Sequence, residues 1–139
     1  MRLLERWLAE RIQWRLALEG QTLNTYFALV AVVECPGLSQ QALCERVGTA
    51  RSEMVRISQD LLMRGHLVRT RDPADQRRYK LDVTPLGRSS MDRCESVMAE
   101  VADEIFVMLS PRERDTLHFL TLRALGLYTP AFAHRADGV

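Results

Sequence analysis

The side chains best suited to chemistry in this chain are arginines, and their spacing points to anion contact rather than to bond-making catalysis. Between Gly65 and Arg88 lie Arg69, Arg71, Arg77 and Arg78, with Asp72, Pro73 and Asp75 among them. Two short alternating segments, His66–Arg71 and Tyr79–Val83, flank the Asp-Pro step, so the stretch predicts a β-hairpin with a basic tip. Guanidinium groups without partners are expensive to bury, and such a hairpin suits contact with a polyanion. A second set lies just upstream. Arg51, Ser52, Glu53, Val55, Arg56 and Gln59 stand opposite an apolar stripe of Met54, Ile57 and Leu61 at helical spacing. Arg can pair with guanine, Gln with adenine, and Glu can accept from cytosine. A merely solvated helix face uses the same residue types, so this helix alone leaves both roles open.

Charge distribution favours the first role. Residues 51–80 hold eight Arg or Lys against four Asp or Glu, a local surplus in a chain whose net charge is only +1. An electrostatic footprint for nucleic acid has this concentrated form. At 139 residues and 47% hydrophobic content the chain can build one core, with room for a small second lobe. Its first residues are charged throughout, and no run approaches the ~20 apolar residues of a membrane span. A cytoplasmic protein with no membrane contact is expected, and Cys35, Cys44 and Cys94 should stay reduced there. Their spacing fits no zinc pattern, and His66, His118 and His134 are scattered. With no Gly-rich phosphate loop and no nucleophile motif, an enzyme is not expected, nor a metal or cofactor.

The elements that must position these residues follow from punctuation. Leu3, Leu4, Trp7, Leu8, Ile12 and Leu16 or Trp14 predict a first helix over 2–19, stopped at Gly20. Thr22 caps a second helix that is apolar nearly all round, the expected centre of the core, closing at Pro36-Gly37. Ser39 caps a short third helix, Gln40–Val47, broken at Gly48. A fourth runs from about Ala50 to Arg64 and ends at Gly65. Behind the hairpin, Thr84-Pro85 opens a fifth helix to about Leu109, and the capping box Ser110-Pro111-Arg112-Glu113 opens a sixth to about Leu127. Thr129-Pro130 ends it. The class is all-α with a small β-hairpin.

A short helix, a Gly-containing turn, a second helix with a polar face and a basic hairpin make a winged helix-turn-helix, with the helix pair at about 39–64 and the whole core at about 22–88. The chain then resembles the MarR family of bacterial transcription regulators. Leu-Ser-Gln-Gln-Ala-Leu-Cys-Glu-Arg-Val-Gly at 38–48 carries the resemblance, with Met54, Leu61, Arg64-Gly65 and Asp72-Pro73-Ala74-Asp75-Gln76-Arg77-Arg78. It continues through Leu81-Asp82-Val83-Thr84-Pro85-Leu86-Gly87-Arg88 and Leu109–Arg114, so it covers about residues 1–128. A single domain of this type over 1–139 is expected.

The resemblance implies a homodimer on palindromic double-stranded DNA, with the fourth helix in the major groove. Arg51, Ser52, Glu53, Val55, Arg56 and Gln59 are the implied readers. Arg71, Asp75, Arg77 and Arg78 are the implied wing contacts; Asp75 and Arg77 match the family's Asp-x-Arg motif, with Arg77 at the minor groove. Arg78 has a phosphate contact open to it, or packing along the strand, or pairing with Asp82. Family members often carry Ser or Thr where this chain has Ala50, so Thr49 is the alternative cap, shifting the helix start by one residue. Dimerisation is expected through residues 2–19 and 85–128, where Leu117, Phe119, Leu120, Leu122, Leu125, Leu127 and Tyr128 add apolar surface; completing the subunit's own core is the other use open to them. Many relatives are repressors released by small aromatic or phenolic ligands, and Trp14, Arg15, Tyr26, Phe27, His66 and Arg69 are the candidate effector pocket. The aromatic members serve equally well as core. A cysteine-based redox regulator is a further alternative, with Cys44 as a small buried side chain and Cys35 and Cys94 exposed. A helical protein-interaction module without DNA binding is another.

Overall fold

Thr22 starts the central helix in the way its position suggests. Its hydroxyl accepts from the Thr25 amide at 3.1 Å, while the Thr25 hydroxyl accepts from the Thr22 amide at 2.9 Å. This reciprocal pair satisfies two backbone donors that the first turn would otherwise leave free. The computed structural model describes residues 2–124 and Gly126. Within them the order is α1 (Arg2–Leu18), α2 (Leu23–Glu34), α3 (Gln40–Val47), α4 (Arg51–Met63), β1 (Leu67–Arg71), β2 (Tyr79–Val83), α5 (Pro85–Ile105) and α6 (Pro111–Ala124). The described chain falls into two compact units, one through Val101 and one from Ala102.

In the first unit, α2 supplies Ala28, Leu29, Ala31 and Val32 to a core shared with Leu43 of α3, Met54, Ile57 and Leu61 of α4, and Leu67 and Leu81 of the hairpin. Each inward residue of α4 lies three or four positions from the next, so one stripe is buried and the other face is left to solvent. The strands pair antiparallel, with Leu67 opposite Val83 and Arg71 opposite Tyr79. One connection was not foreseen from periodicity. Leu38 forms an isolated bridge to Leu81, and the Gly37 amide donates to the Leu81 carbonyl at 3.1 Å. Gly37 holds φ +81° there, a conformation that favours glycine. The lead-in to α3 is thereby laced to the wing.

A second cluster joins Leu16 of α1 to Cys94 and Val97 of α5, flanked by Ile12, Leu23, Tyr26 and Met98. Leu16 is the sole buried residue of α1 among those described. Gln21 ties the α1–α2 turn to α5, donating to Ser90 at 2.6 Å and accepting from Thr25 at 2.9 Å.

In the second unit, α6 opens on the anticipated capping box, with Glu113 accepting from the Ser110 amide at 2.8 Å. Helix α5 ends at Ile105, four residues short of the expected Leu109. Past that end the chain turns, with the Leu109 amide donating to the Phe106 carbonyl at 2.9 Å, and Arg114 Nε donates to the carbonyls of Phe106 and Leu109 at 3.1 and 3.2 Å, tying the turn to α6. No residue of α6 is buried among those described. The expected sixth-helix end at Leu127, and Leu125, Leu127 and Tyr128 with it, lie outside the described residues.

Candidate nucleic-acid interface

Helix α3 is held at both ends. Ser39 accepts from the Ala42 amide at 3.1 Å, and Gly48 closes it in the left-handed conformation, φ +70°. The turn to α4 is fastened by Cys44, whose thiol donates to the Thr49 carbonyl at 3.2 Å. Helix α4 then starts at Arg51 with Ala50 as its N-cap and no side-chain cap bond. Thr49 therefore does not take the capping role, and the helix is not displaced by a residue.

Of the six expected readers, Arg51, Ser52, Arg56 and Gln59 are exposed, while Glu53 and Val55 are half-buried. Arg51, Val55 and Gln59 line a groove of about 410 Å³ between α3 and α4, together with Gln40, Gln41 and Cys44. Among the described residues nothing pairs with the Arg51 guanidinium. Arg56 is different. It donates through Nε and Nη2 to the two carboxylate oxygens of Glu53, at 3.1 and 2.6 Å. These bonds, ahead of the charge attraction, hold the Glu53 carboxyl below its ordinary pKa.

The wing tip is organised by two aspartates. Asp72 accepts from the Ala74 amide at 2.9 Å and pairs with Lys80 at 3.3 Å; the amide bond first, and the lysine after it, keep its carboxyl below the usual range. Asp75 accepts from the Arg77 amide at 3.0 Å and lies 3.6 Å from Arg78 Nε. Arg78 is thus directed to Asp75, not to Asp82. Arg71 donates to the Gln76 carbonyl at 3.2 Å, closing the loop from below. The Arg77 side chain projects from this scaffold, exposed and without a partner among the described residues.

Tyr79 is a contributor that residue types alone did not single out. The Arg69 guanidinium stacks 3.7 Å from its ring centroid and Arg71 lies at 5.5 Å. Such contacts are worth about 0.5–1 kcal/mol at exposed sites, enough to pre-orient flexible arginines. The signal was available: in an antiparallel hairpin Tyr79 faces Arg71 by register. A cleft of about 320 Å³ is lined by Arg69, Arg78, Tyr79, Ser39, Gln40 and Gln41. Gln40 and Gln41 also line the α3–α4 groove, so one surface of mixed polar and apolar side chains runs from α4 across the start of α3 to the wing.

The six effector-pocket candidates are distributed rather than gathered. Trp14 is 57% exposed and lines a small cleft with Trp7 and Arg11, whose guanidinium lies 5.6 Å from its ring. Arg15 is paired with Glu100. Tyr26 and Phe27 contact each other at a centroid distance of 5.6 Å, the former donating to Glu95 and the latter facing a groove beside Arg46 and Val47. His66 is buried beside Arg64 and Arg93, and Arg69 belongs to the wing. Of the cysteines, Cys94 is fully buried instead of exposed, and burial pushes its thiol pKa up. Cys44 is half-buried rather than enclosed.

A helix-turn-helix followed by a two-stranded basic wing defines the chain as a winged helix protein. The MarR family model matches residues 20–78, which span α2 through the wing tip. A protein of Thauera aromatica assigned to transcriptional regulation of the hcr operon is 36% identical over 99 residues, covering 71% of this chain and 60% of that protein. The PcaV transcriptional regulator of Streptomyces coelicolor is 29% identical and superimposes with a TM-score of 0.69 over 99% of this chain and 95% of its own. Wild-type MarR of E. coli, at 17% identity, shares the fold with a TM-score of 0.78 over 89% of this chain and 92% of its own. Residues 20–78, from α2 to the wing tip, are those of the MarR family of transcription regulators, and the chain as a whole shares that fold. It spans about 60% of the length of the curated relative it matches.

Proposed function

We propose that the chain acts as a homodimeric, DNA-binding repressor that a small aromatic or phenolic effector releases from a palindromic operator, in the cytoplasm. The observation that carries DNA binding is the surface joining α4 to the wing through Gln40 and Gln41, with guanidinium groups at Arg51 and Arg77 that have no partner among the described residues. A helix such as α4 fits the major groove, and an extended arginine at a wing tip suits the negative potential of a narrow minor groove. Arg51, Ser52, Glu53, Val55, Arg56 and Gln59 are assigned to the first, and Arg71, Asp75, Arg77 and Arg78 to the second. Dimerisation is assigned to residues 2–19 and 85–128 and rests on apolar side chains left exposed on α1 and α6. The effector rests on family membership alone.

Selection of bound duplexes from a random library, followed by fluorescence anisotropy at several salt concentrations, tests the reading. A palindromic consensus bound far more tightly than random duplex, with affinity falling steeply with salt, is the expected result. Equal, salt-insensitive binding to both would leave a protein-interaction module instead. Repeating the assay with benzoate, salicylate and 4-hydroxybenzoate tests the effector; operator affinity unchanged by all three would remove that part.

A further inference from the structure

Arg56 stands on the face assigned to the major groove, yet its charge is already engaged. The bonds to Glu53 use the inner edge of the guanidinium, Nε and one N–H of Nη2. A guanidinium has five donors, so three remain, including one on each Nη that together form its outer edge. With the inner edge engaged, the outer edge is the one left to meet guanine O6 and N7 with two parallel bonds. The pair lies at the surface, with Arg56 69% and Glu53 38% exposed at the side chain, so a duplex can reach it without unfolding anything.

The position of Glu53 suits its charge as well. It occupies the third residue of α4, whose N-cap Ala50 offers no side-chain acceptor. Free amides and the positive end of the helix dipole favour a carboxylate in this turn. Its charge has a second consequence. A free arginine on a DNA-facing helix binds any phosphate it meets, adding affinity for every sequence alike. Paired with Glu53, Arg56 brings no net charge to the face.

Resting on the DNA-binding reading above, we propose that Glu53 is a positioning residue for Arg56 and not an independent base reader. It clamps the inner edge so that the outer edge meets guanine at one base pair, and it withholds Arg56 from random phosphates. Specificity then rises from both ends, through a better-aimed contact and a weaker background.

The test compares wild type, Glu53→Ala, Glu53→Gln, Arg56→Ala and the double variant Glu53→Ala/Arg56→Ala. Each is titrated against the selected operator, a set of its single-base-pair variants and random duplex of equal length, with circular dichroism to monitor folding. Arg56→Ala should abolish preference at one guanine, by about tenfold for a lost two-bond contact. Glu53→Ala should weaken preference at that same base pair while holding or raising affinity for random duplex, and Glu53→Gln should fall between. In the double variant, preference at that base pair should be no worse than in Arg56→Ala. Loss of preference at a different base pair, additive with Arg56→Ala, would show Glu53 to be a reader itself and overturn the proposal. So would a Glu53→Ala variant that loses operator and random affinity in equal proportion, the sign of a helix-stabilising role alone. Wild-type protein that binds no duplex overturns the DNA-binding reading and this inference with it; the other adverse outcomes overturn the inference only.

Discussion

At the wing tip the backbone of Arg77 is fixed while its side chain stays free, because Asp75 takes the Arg77 amide and draws Arg78 toward itself. Contact with DNA therefore breaks no ion pair at Arg77, whereas Arg78 must leave a carboxylate. Arg77→Ala is expected to weaken binding to all sequences and to flatten the log–log salt slope by about 0.9, the change for one lost phosphate-type contact. Anisotropy titrations across a salt series measure it, and an unchanged slope would remove Arg77 from the interface. Arg78→Ala should cost less. His66 offers a residue-scale prediction of another kind. It is buried, its Nδ1 has no hydrogen-bond partner among the described residues, and burial followed by the Arg64 charge lowers its pKa, with Asp60 opposing. An unfolded histidine takes up its proton near pH 6.5. The folded one resists until lower pH, so the unfolded state binds more protons in that window. Stability from this group is complete above about pH 6.5 and lost as pH falls toward the lowered folded value. Urea unfolding of wild type should therefore weaken more between about pH 7.5 and pH 5 than that of His66→Gln; parallel curves would clear His66 of the effect.

Among the elements, α4 has an avoidable weakness and α5 a tight constraint. Ala50 has extended backbone angles, φ −54° and ψ +139°, and no acceptor to offer the first turn. Ala50→Ser should stabilise the fold by ~0.5–2 kcal/mol through a new cap bond, read as a rise in Tm. No change would mean that the first-turn amides already have adequate partners in water. Gly87 lies at the opposite extreme. A Cβ there would fall 2.2 Å from the His66 carbonyl oxygen and 2.8 Å from Val83 Cγ1. Backbone cannot swing aside as a flexible side chain can, so Gly87→Ala should cost ~1–3 kcal/mol and lower the Tm. The glycine is required by close approach of α5 to the His66 backbone, between α4 and β1, and to Val83 of β2. A Tm equal to wild type would show that the junction has room to shift.

For the molecule as a whole, the apolar surface on α1 is the feature that the described chain leaves uncovered. Leu3 is 82% and Trp7 51% exposed, and Leu18 and Trp14 are exposed beside them. Leu16 is buried in the core with Ile12 packed against the same cluster, so truncating α1 would damage folding itself. Leu3→Glu/Trp7→Glu is the cleaner probe. Neither side chain belongs to the core, and charge on the proposed dimer face should shift sedimentation from dimer to monomer with helicity retained. A dimer that survives both substitutions would place the interface elsewhere.

How much of this was legible before folding follows from the range over which each force acts. Local signals carried the elements. Thr22, Ser39 and Ser110 cap helices through bonds reaching three residues, and Gly48 and Gly65 end them through their own φ. Period-two alternation and the Asp-Pro turn placed the wing. The basic wing and polar α4 face therefore stood in the sequence as one stretch of chain. Contacts between distant residues did not. Leu38 bridging Leu81, Tyr79 holding Arg69, Arg114 reaching back to Phe106 and Leu109, and the dispersal of the effector-pocket candidates all depend on where separate elements come to rest. Cys94 shows the difference most simply. Its residue type allows exposure or burial, and only the packing of α1 against α5 decided for burial. The sequence by itself determined a winged helix with a basic hairpin, because caps, turns and periodicity are written in neighbouring residues. Tertiary structure alone decided which distant side chains meet, as Arg69 meets Tyr79 and Arg15 meets Glu100, because such pairing depends on three-dimensional distance as well as residue type.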